Sequence, residues 1–385
     1  MATKNIYLDN AATTPMDPKV ISKINDEMIN DFGNASSQHA FGRKARQVVD
    51  QARQQLAKTI NAHEKEIIFT SGGSESNNNA IFGTARARQN IGKKIITTKI
   101  EHPSVLNPMK RLENEGFNVV YLDVDQTGHI DLEQLKKELT DDTILVSTMA
   151  VNNEVGSIMP LQKIGDLVKD SNAYFHVDDV QGFGTIDIDV QKMHIDLLSV
   201  SAHKVNGPKF LGFLYERDGI EVSDLLLGGE QELKRRPGTE NVPGIAGFGV
   251  AAKELNELDK ADIQKKYQEF QKIILNELDK DQIDYEINGS INGQVSHHVL
   301  NLWLKGVGTY SALTNLDLAG FAVSGGSACT AGSLNPSHVL TAMYGADSDR
   351  LAESIRISFG RFTTQQDVEE FAQALVKMCQ RLAKR

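Results

Sequence analysis

The feature that most constrains this chain is a repeating alternation of short apolar runs with amphipathic stretches, and polar clusters where the runs end. Glu66–Thr70, Lys94–Thr98, Asn118–Leu122, Thr143–Ala150, Ala173–Val177, Leu197–Ser201 and Phe210–Tyr215 read as strands. Residues 17–31, 37–62, 103–115, 131–139 and 161–170 read as helices. In the second of these, Phe41, Ala45, Val48, Val49, Ala52 and Leu56 fall three or four apart, an amphipathic stripe. Asp131 is placed to cap the helix that follows it. Strand–helix alternation predicts an α/β domain built on a mostly parallel sheet. Such sheets bind ligands beyond the carboxyl ends of their strands. Four of these ends carry polar clusters: Ser71–Ser76, Asn152-Asn153-Glu154, Asp178–Gln181 and Ser201–Lys204.

At 385 residues, 40% of them apolar, the chain can bury one large core and a smaller one. A charge-laced helical stretch over 250–280 leads to the expected second unit, roughly 260–385. That unit ends in a helix near 365–383 with an apolar stripe of Val368, Phe371, Ala372, Leu375, Met378, Cys379 and Leu382. A net charge of −10 lacks the electrostatic footprint of a nucleic-acid binder. The two cysteines, Cys329 and Cys379, exclude a disulfide framework and a four-cysteine zinc site, and they suit a reducing cytosol. No metal centre is expected. No run of 18 apolar residues predicts a membrane span, and Met1–Tyr7 has no apolar signal core. The reading is a soluble cytoplasmic protein.

The nucleotide and zinc motifs GxxxxGK[S/T], GxGxxG and HExxH are absent. Ser71-Gly72-Gly73-Ser74-Glu75-Ser76 instead offers small residues and a helix N-terminus to an anion. Asp178, at the end of a buried strand, needs a partner, and a cationic ring nitrogen would serve. Lys204, in Ser201-Ala202-His203-Lys204, follows an apolar strand; a desolvated lysine is a nucleophile towards carbonyl groups. Taken singly, each has a bland alternative: a Gly-rich turn, a helix-capping aspartate, a solvent-facing lysine. Together, a phosphate cradle, a carboxylate for a pyridinium nitrogen and a carbonyl-reactive lysine are the requirements of pyridoxal phosphate (PLP).

The order of these motifs resembles the cysteine desulfurases of the NifS/IscS type, within the class-V aminotransferase group of PLP enzymes. The resemblance runs nearly end to end. It is carried by Leu8-Asp9-Asn10-Ala11-Ala12-Thr13-Thr14-Pro15, Glu101-His102-Pro103, Val151-Asn152-Asn153-Glu154-Val155-Gly156, Ser201–Pro208 and Arg356-Ile357-Ser358-Phe359-Gly360-Arg361. Most specific is Ser324-Gly325-Gly326-Ser327-Ala328-Cys329-Thr330, which matches the branch with a longer cysteine loop.

The resemblance implies the PLP-dependent transferase fold of the aspartate-aminotransferase type. A large domain would span 15–259. A small α+β domain would comprise 1–14 and 260–385 and carry the cysteine loop. It implies that Lys204 anchors the cofactor, Asp178 pairs with the pyridinium nitrogen and Gln181 bonds the phenolic oxygen. His102 would stack on the ring and relay protons. Ser74, Ser201 and His203 match phosphate ligands, and Thr239 matches a threonine that reaches the phosphate of the partner subunit in a homodimer. Asn153 and Arg356 match the substrate-carboxylate site, and Cys329 the nucleophile. The implied reaction converts L-cysteine to L-alanine and leaves sulfur as a persulfide on Cys329. An iron–sulfur scaffold or a tRNA-thiolation enzyme would then accept the sulfur. Two departures stand out: Ser74 replaces the usual threonine, and Asp179 and Val180 sit where small or hydroxyl residues are usual. A same-fold enzyme acting on another substrate, such as an aminotransferase or selenocysteine lyase, and a non-catalytic sulfur-handling scaffold are the rivals. Cys329 argues against the aminotransferase; Lys204, Asp178, His102 and Arg356 argue against the scaffold.

Overall fold

A computed structural model describes residues 5–325 and 336–382. Cys329 lies outside the described residues.

The strands are Ile6–Tyr7 (β1), Ile67–Thr70 (β2), Lys94–Thr98 (β3), Asn118–Leu122 (β4), Thr143–Met149 (β5), Tyr174–Asp178 (β6), Leu197–Ser201 (β7), Gly212–Glu216 (β8), Tyr285–Ile287 (β9), Val299–Leu304 (β10), Phe321–Ala322 (β11) and Ser354–Ser358 (β12). The helices are Pro18–Asn30 (α1), Ala40–Thr59 (α2), Gly73–Arg88 (α3), Pro103–Asn114 (α4), Leu132–Glu138 (α5), Leu161–Val168 (α6), Val242–Asn256 (α7), Lys260–Lys280 (α8), Thr309–Leu318 (α9), His338–Tyr344 (α10), Arg350–Glu353 (α11) and Gln365–Leu382 (α12).

Seven strands form one sheet in the order β2-β8-β7-β6-β5-β3-β4. Only β8 runs against its neighbours. The carboxyl ends of β2, β3, β5, β6 and β7 therefore meet at one edge. Strands β5 and β7 are buried along their whole length, which suits a parallel sheet covered on both faces. Helix α7 packs on α1 and α2, and α3 lies across β7.

A second sheet, β12-β10-β9, is antiparallel, and β1 pairs in parallel with β11. Ile6 and Leu8 thereby join Phe270, Ile274, Leu300, Phe371 and Cys379 in a separate core. Helix α10 follows the second sheet's first two strands in sequence, yet its Val339, Leu340 and Met343 pack into the larger core.

The helical stretch expected over 250–280 is two helices. The Asp259 carboxylate accepts from the Ala261 and Asp262 N–H groups and restarts the helix there. Asp131 caps α5 by accepting from the Glu133 N–H.

Candidate functional site

Where the parallel strands end, a cavity of about 440 Å³ opens. From the large sheet and its loops, Asp178, Gln181, Ser201, His203 and Lys204 line it. Ser74 lines it from α3, His102 from the start of α4, Asn153 from the loop after β5 and Arg356 from β12.

Lys204 closes a single 3₁₀ turn, Ala202–Lys204, directly after β7. Its Nζ donates to the carbonyls of Ala11 (2.6 Å) and Ala12 (2.8 Å). Thr14 clamps the same turn from the N-terminal segment, donating through Oγ1 to the His203 carbonyl at 2.8 Å. These two carbonyls hold the amine at the cavity wall.

Asp178 ends β6 and is buried. The Asn77 amide donates to one of its oxygens at 2.8 Å and the Val180 N–H to the other at 3.1 Å. No helix stands between β6 and β7, so Asp178 is not a helix cap. Its neighbour Asp179 does not line the cavity. Both Asp179 oxygens are buried without a partner among the described residues. Burial holds that carboxyl well above the usual carboxylate range, against the opposing pull of the Lys260 charge.

His102 caps α4, its Nδ1 accepting from the Ser104 N–H at 3.1 Å. The Ser104 hydroxyl accepts from Asn77 (2.8 Å) and lies 2.7 Å from the same Nδ1. Its own proton therefore goes to Nδ1, and this network assigns the imidazole proton to Nε2. Asn77 thus ties Asp178 to His102. Burial pushes the imidazole below its ordinary value; Asp178 opposes this, and Lys204 and His338 reinforce it.

Helix α3 opens at Gly72 with no side-chain cap. Gly72 has φ 144°, and a Cβ at Gly73 would come within 2.6 Å of the Val180 side chain. A Cβ at Gly72 would stand 3.5 Å from the Ser201 hydroxyl. This uncapped helix end, with Ser74, Ser201 and His203 at the same rim, fits a phosphate group. Burial pushes His203 down to about 4, so it meets an anion as a neutral donor. Gln181 donates its amide to the Ala11 carbonyl at 2.8 Å.

Arg356 is 1% exposed. Its guanidinium donates to the backbone carbonyl of Asn153 (2.9 Å) and to the Asp9 carboxylate (2.8 Å). These bonds fix the plane of the fork at the cavity wall.

The family model of the class-V aminotransferases matches residues 6–371. Over 379 residues the chain is 53% identical to the protein IscS 1 of Bacillus subtilis (strain 168), covering 98% of this chain and 100% of that one. It is 43% identical over 380 residues to the cysteine desulfurase IscS of Dictyoglomus turgidum (strain DSM 6724 / Z-1310), covering 98% and 95%. A solved NifS-like protein superposes with a TM-score of 0.91 at 33% identity, over 98% of this chain and 100% of that one. The chain belongs to the class-V aminotransferase family, among the cysteine desulfurases of the NifS/IscS type.

The fold is therefore the aspartate-aminotransferase type, and the enzymes of this family use PLP. In this desulfurase Thr239 does not line the chain's own cavity and is exposed. Its loop is held by two hydrogen bonds that Arg236 donates to the Glu75 carboxylate in the first turn of α3, at 2.8 and 3.2 Å. Asp9, Asn77 and Ser104 are site residues that sequence reasoning missed. Asp9 stands in a motif singled out above, but nothing in its spacing ties it to Arg356, 347 positions away. Asn77 follows the Ser71–Ser76 cradle directly and carried no further signal.

Proposed function

We propose that this chain is a homodimeric, PLP-dependent cysteine desulfurase. It would take sulfur from L-cysteine, release L-alanine and carry the sulfur as a persulfide on Cys329. The observation that carries the reading is the meeting of Lys204, Asp178, His102, the uncapped end of α3 and Arg356 around one cavity. The solved structure titled "SspA in complex with cysteine" is 36% identical, with a TM-score of 0.82 over 93% of this chain and all of that one, and it supports cysteine as substrate.

The cavity residues fit PLP: an anion cradle, a buried carboxylate for a ring nitrogen, and an amine. Bound PLP would supply the electron sink that weakens the Cα–H and Cβ–S bonds of an amino acid. Residues 15–259 would form the unit that holds it, with 1–14 and 260–385 as the smaller unit. Ser74, Ser201, His203 and the first N–H groups of α3 would bind the phosphate, and Thr239 of a second copy would complete its shell. Asp178 would stabilise a positive ring nitrogen, and Gln181 would donate to the phenolic oxygen. Lys204 would anchor the cofactor and, once displaced, move the substrate Cα proton at Nζ. His102 would cover the ring and hold a proton at Nε2. Arg356 and Asn153 would grip the substrate carboxylate. The Cys329 thiolate would attack the substrate sulfur. An S–S bond forms, the Cβ–S bond breaks, and its electron pair with one proton completes the methyl group of alanine.

A cytoplasmic iron–sulfur scaffold or tRNA-thiolation enzyme would receive the sulfur. Capture of the protein labelled by the persulfide would identify it. The test of the whole reading is direct. Purified protein should be yellow, borohydride should fix PLP to Lys204, and cysteine should yield alanine and sulfide in the presence of a reductant. A colourless protein that ignores added PLP would sink it.

A further inference from the structure

We propose that His298 is a positioning residue: it fixes which end of the Gln181 side-chain amide faces the cofactor cavity. This rests on the PLP reading above. His298 precedes β10 and is buried against the back of the cavity wall. A chain of hydrogen bonds reaches it from α8 and leaves it towards Gln181.

Backbone groups, which cannot be flipped, fix both ends of that chain. The Gln264 Oε1 accepts from the His297 N–H at 2.8 Å, so its Nε2 must be the donor. That Nε2 donates to the Thr185 carbonyl (3.0 Å) and to the Ser296 hydroxyl (3.3 Å). Ser296 lies 2.7 Å from Nδ1 of His298. Accepting from Gln264 through one lone pair leaves the hydroxyl proton available to that nitrogen. The other ring nitrogen, Nε2, lies 3.2 Å from Oε1 of Gln181.

The Gln181 end decides where the ring proton sits, on Nε2. Gln181 Nε2 donates to the Ala11 carbonyl at 2.8 Å, so its Oε1 faces His298 and must accept. Ala11 does not hold the amide alone, because its carbonyl also accepts from Lys204 at 2.6 Å. Turned over, the amide would set its oxygen against that carbonyl and leave His298 with an unanswered N–H. Held as it is, Gln181 keeps a second N–H for an acceptor in the cavity, as the phenolic oxygen of PLP requires. Burial pushes His298 down to about 3, so the ring is neutral in the physiological range.

The test compares His298→Leu in the wild-type and Gln181→Ala backgrounds. The readouts are the PLP dissociation constant of the reconstituted protein and the pH midpoint of its visible band. In the wild-type background PLP binding should weaken about fivefold, the worth of one neutral hydrogen bond. The midpoint should move to higher pH by about half a unit, since a phenolic oxygen that loses a donor holds the adjacent proton more tightly. In the Gln181→Ala background the same substitution should change neither value, because a residue that acts through Gln181 is silent without it. Unchanged values in the wild-type background, or equal changes in both, would overturn the proposal. If His298→Leu does not fold, His298→Asn is compared in the same two backgrounds and read the same way. If the wild type binds no PLP, the parent reading fails. The nitrogen NMR spectrum of histidine-labelled apoprotein still decides the positioning claim: a proton on Nε2 of His298 supports it, and one on Nδ1 refutes it.

Discussion

Glu101→Gln should stabilise the protein at alkaline pH and leave it unchanged in acid. Glu101 sits directly before His102 and is 0% exposed. One of its oxygens accepts from Thr98 (2.7 Å) and the Met149 N–H (3.0 Å); the other is buried with no partner among the described residues. Burial, with a smaller push from Asp178, raises its carboxyl to about 8. In the unfolded chain a glutamate titrates near about 4.3. Between those values the folded state holds a proton that the unfolded state has lost. Stability therefore falls as pH rises, by about 1.4 kcal/mol per pH unit. It levels off above about 8, where the folded state ionises too. From pH 5 to pH 8 the burden is at most about 4 kcal/mol. Glutamine keeps the shape and the accepting oxygen but does not titrate. Unfolding entropy of about 2.1 cal/mol/K per residue makes 1 kcal/mol worth roughly 1 °C in a chain this long. The melting temperature of Glu101→Gln should thus match wild type near pH 4 and exceed it by about 3–5 °C at pH 8. Scanning calorimetry of both holoenzymes at matched scan rates measures this. A difference independent of pH, or one that shrinks as pH rises, would refute the reasoning.

Arg356→Lys keeps the charge and loses the fork. With one of two charge-assisted bonds gone, KM for cysteine should rise about tenfold to a hundredfold while cofactor absorbance is kept; steady-state alanine production within twofold of wild type at low cysteine would rule the role out. Cys379 is buried in the smaller core and burial pushes its thiol up to about 12. Cys379→Ala should therefore keep most activity and lose about 1 kcal/mol of stability, and mass spectrometry after turnover should find the added sulfur on the Cys329 peptide rather than on that of Cys379. Thr239→Ala should weaken PLP retention, and mixing it with Lys204→Ala subunits should regenerate some intact sites if Thr239 serves the partner's phosphate; sedimentation showing an active monomer would contradict this.

Elements with a strong local period were legible in the sequence. Lys94–Thr98, Asn118–Leu122 and Leu197–Ser201 form strands with those bounds. What failed locally was decided by single capping groups or by distant partners. Asp259 caps a new helix inside a stretch that reads as helical on both sides of the break. Strands β9 and β11 are only three and two residues long and exist through pairing with β10 and with β1, partners that no local period reveals. In the site, Lys204, Asp178 and Ser74 were legible because each stands at a strand end in a chemically unusual cluster. Asp9, Asn77 and His298 were not, because their roles exist only through partners 347, 101 and 117 positions away.

Three acidic groups crowd this end of the sheet, and their surroundings decide which can act. Successive residues at the end of a strand point to opposite faces. Asp178 accordingly lines the cavity, where two N–H donors satisfy it, while Asp179 turns away from it and meets none among the described residues. Glu101 lies between, with donors on one oxygen only. A carboxylate stripped of water is stable only where donors or a cation replace that water. Burial therefore favours the neutral form of both Asp179 and Glu101. Asp179 cannot replace Asp178, although it is one residue away and chemically identical. Asp178→Ala should lose the ring-nitrogen partner outright, with no rescue from its neighbour. The acid beside the proposed ring nitrogen is thus selected by the pleat of β6 and by the donors of Asn77 and Val180, not by the local abundance of aspartate.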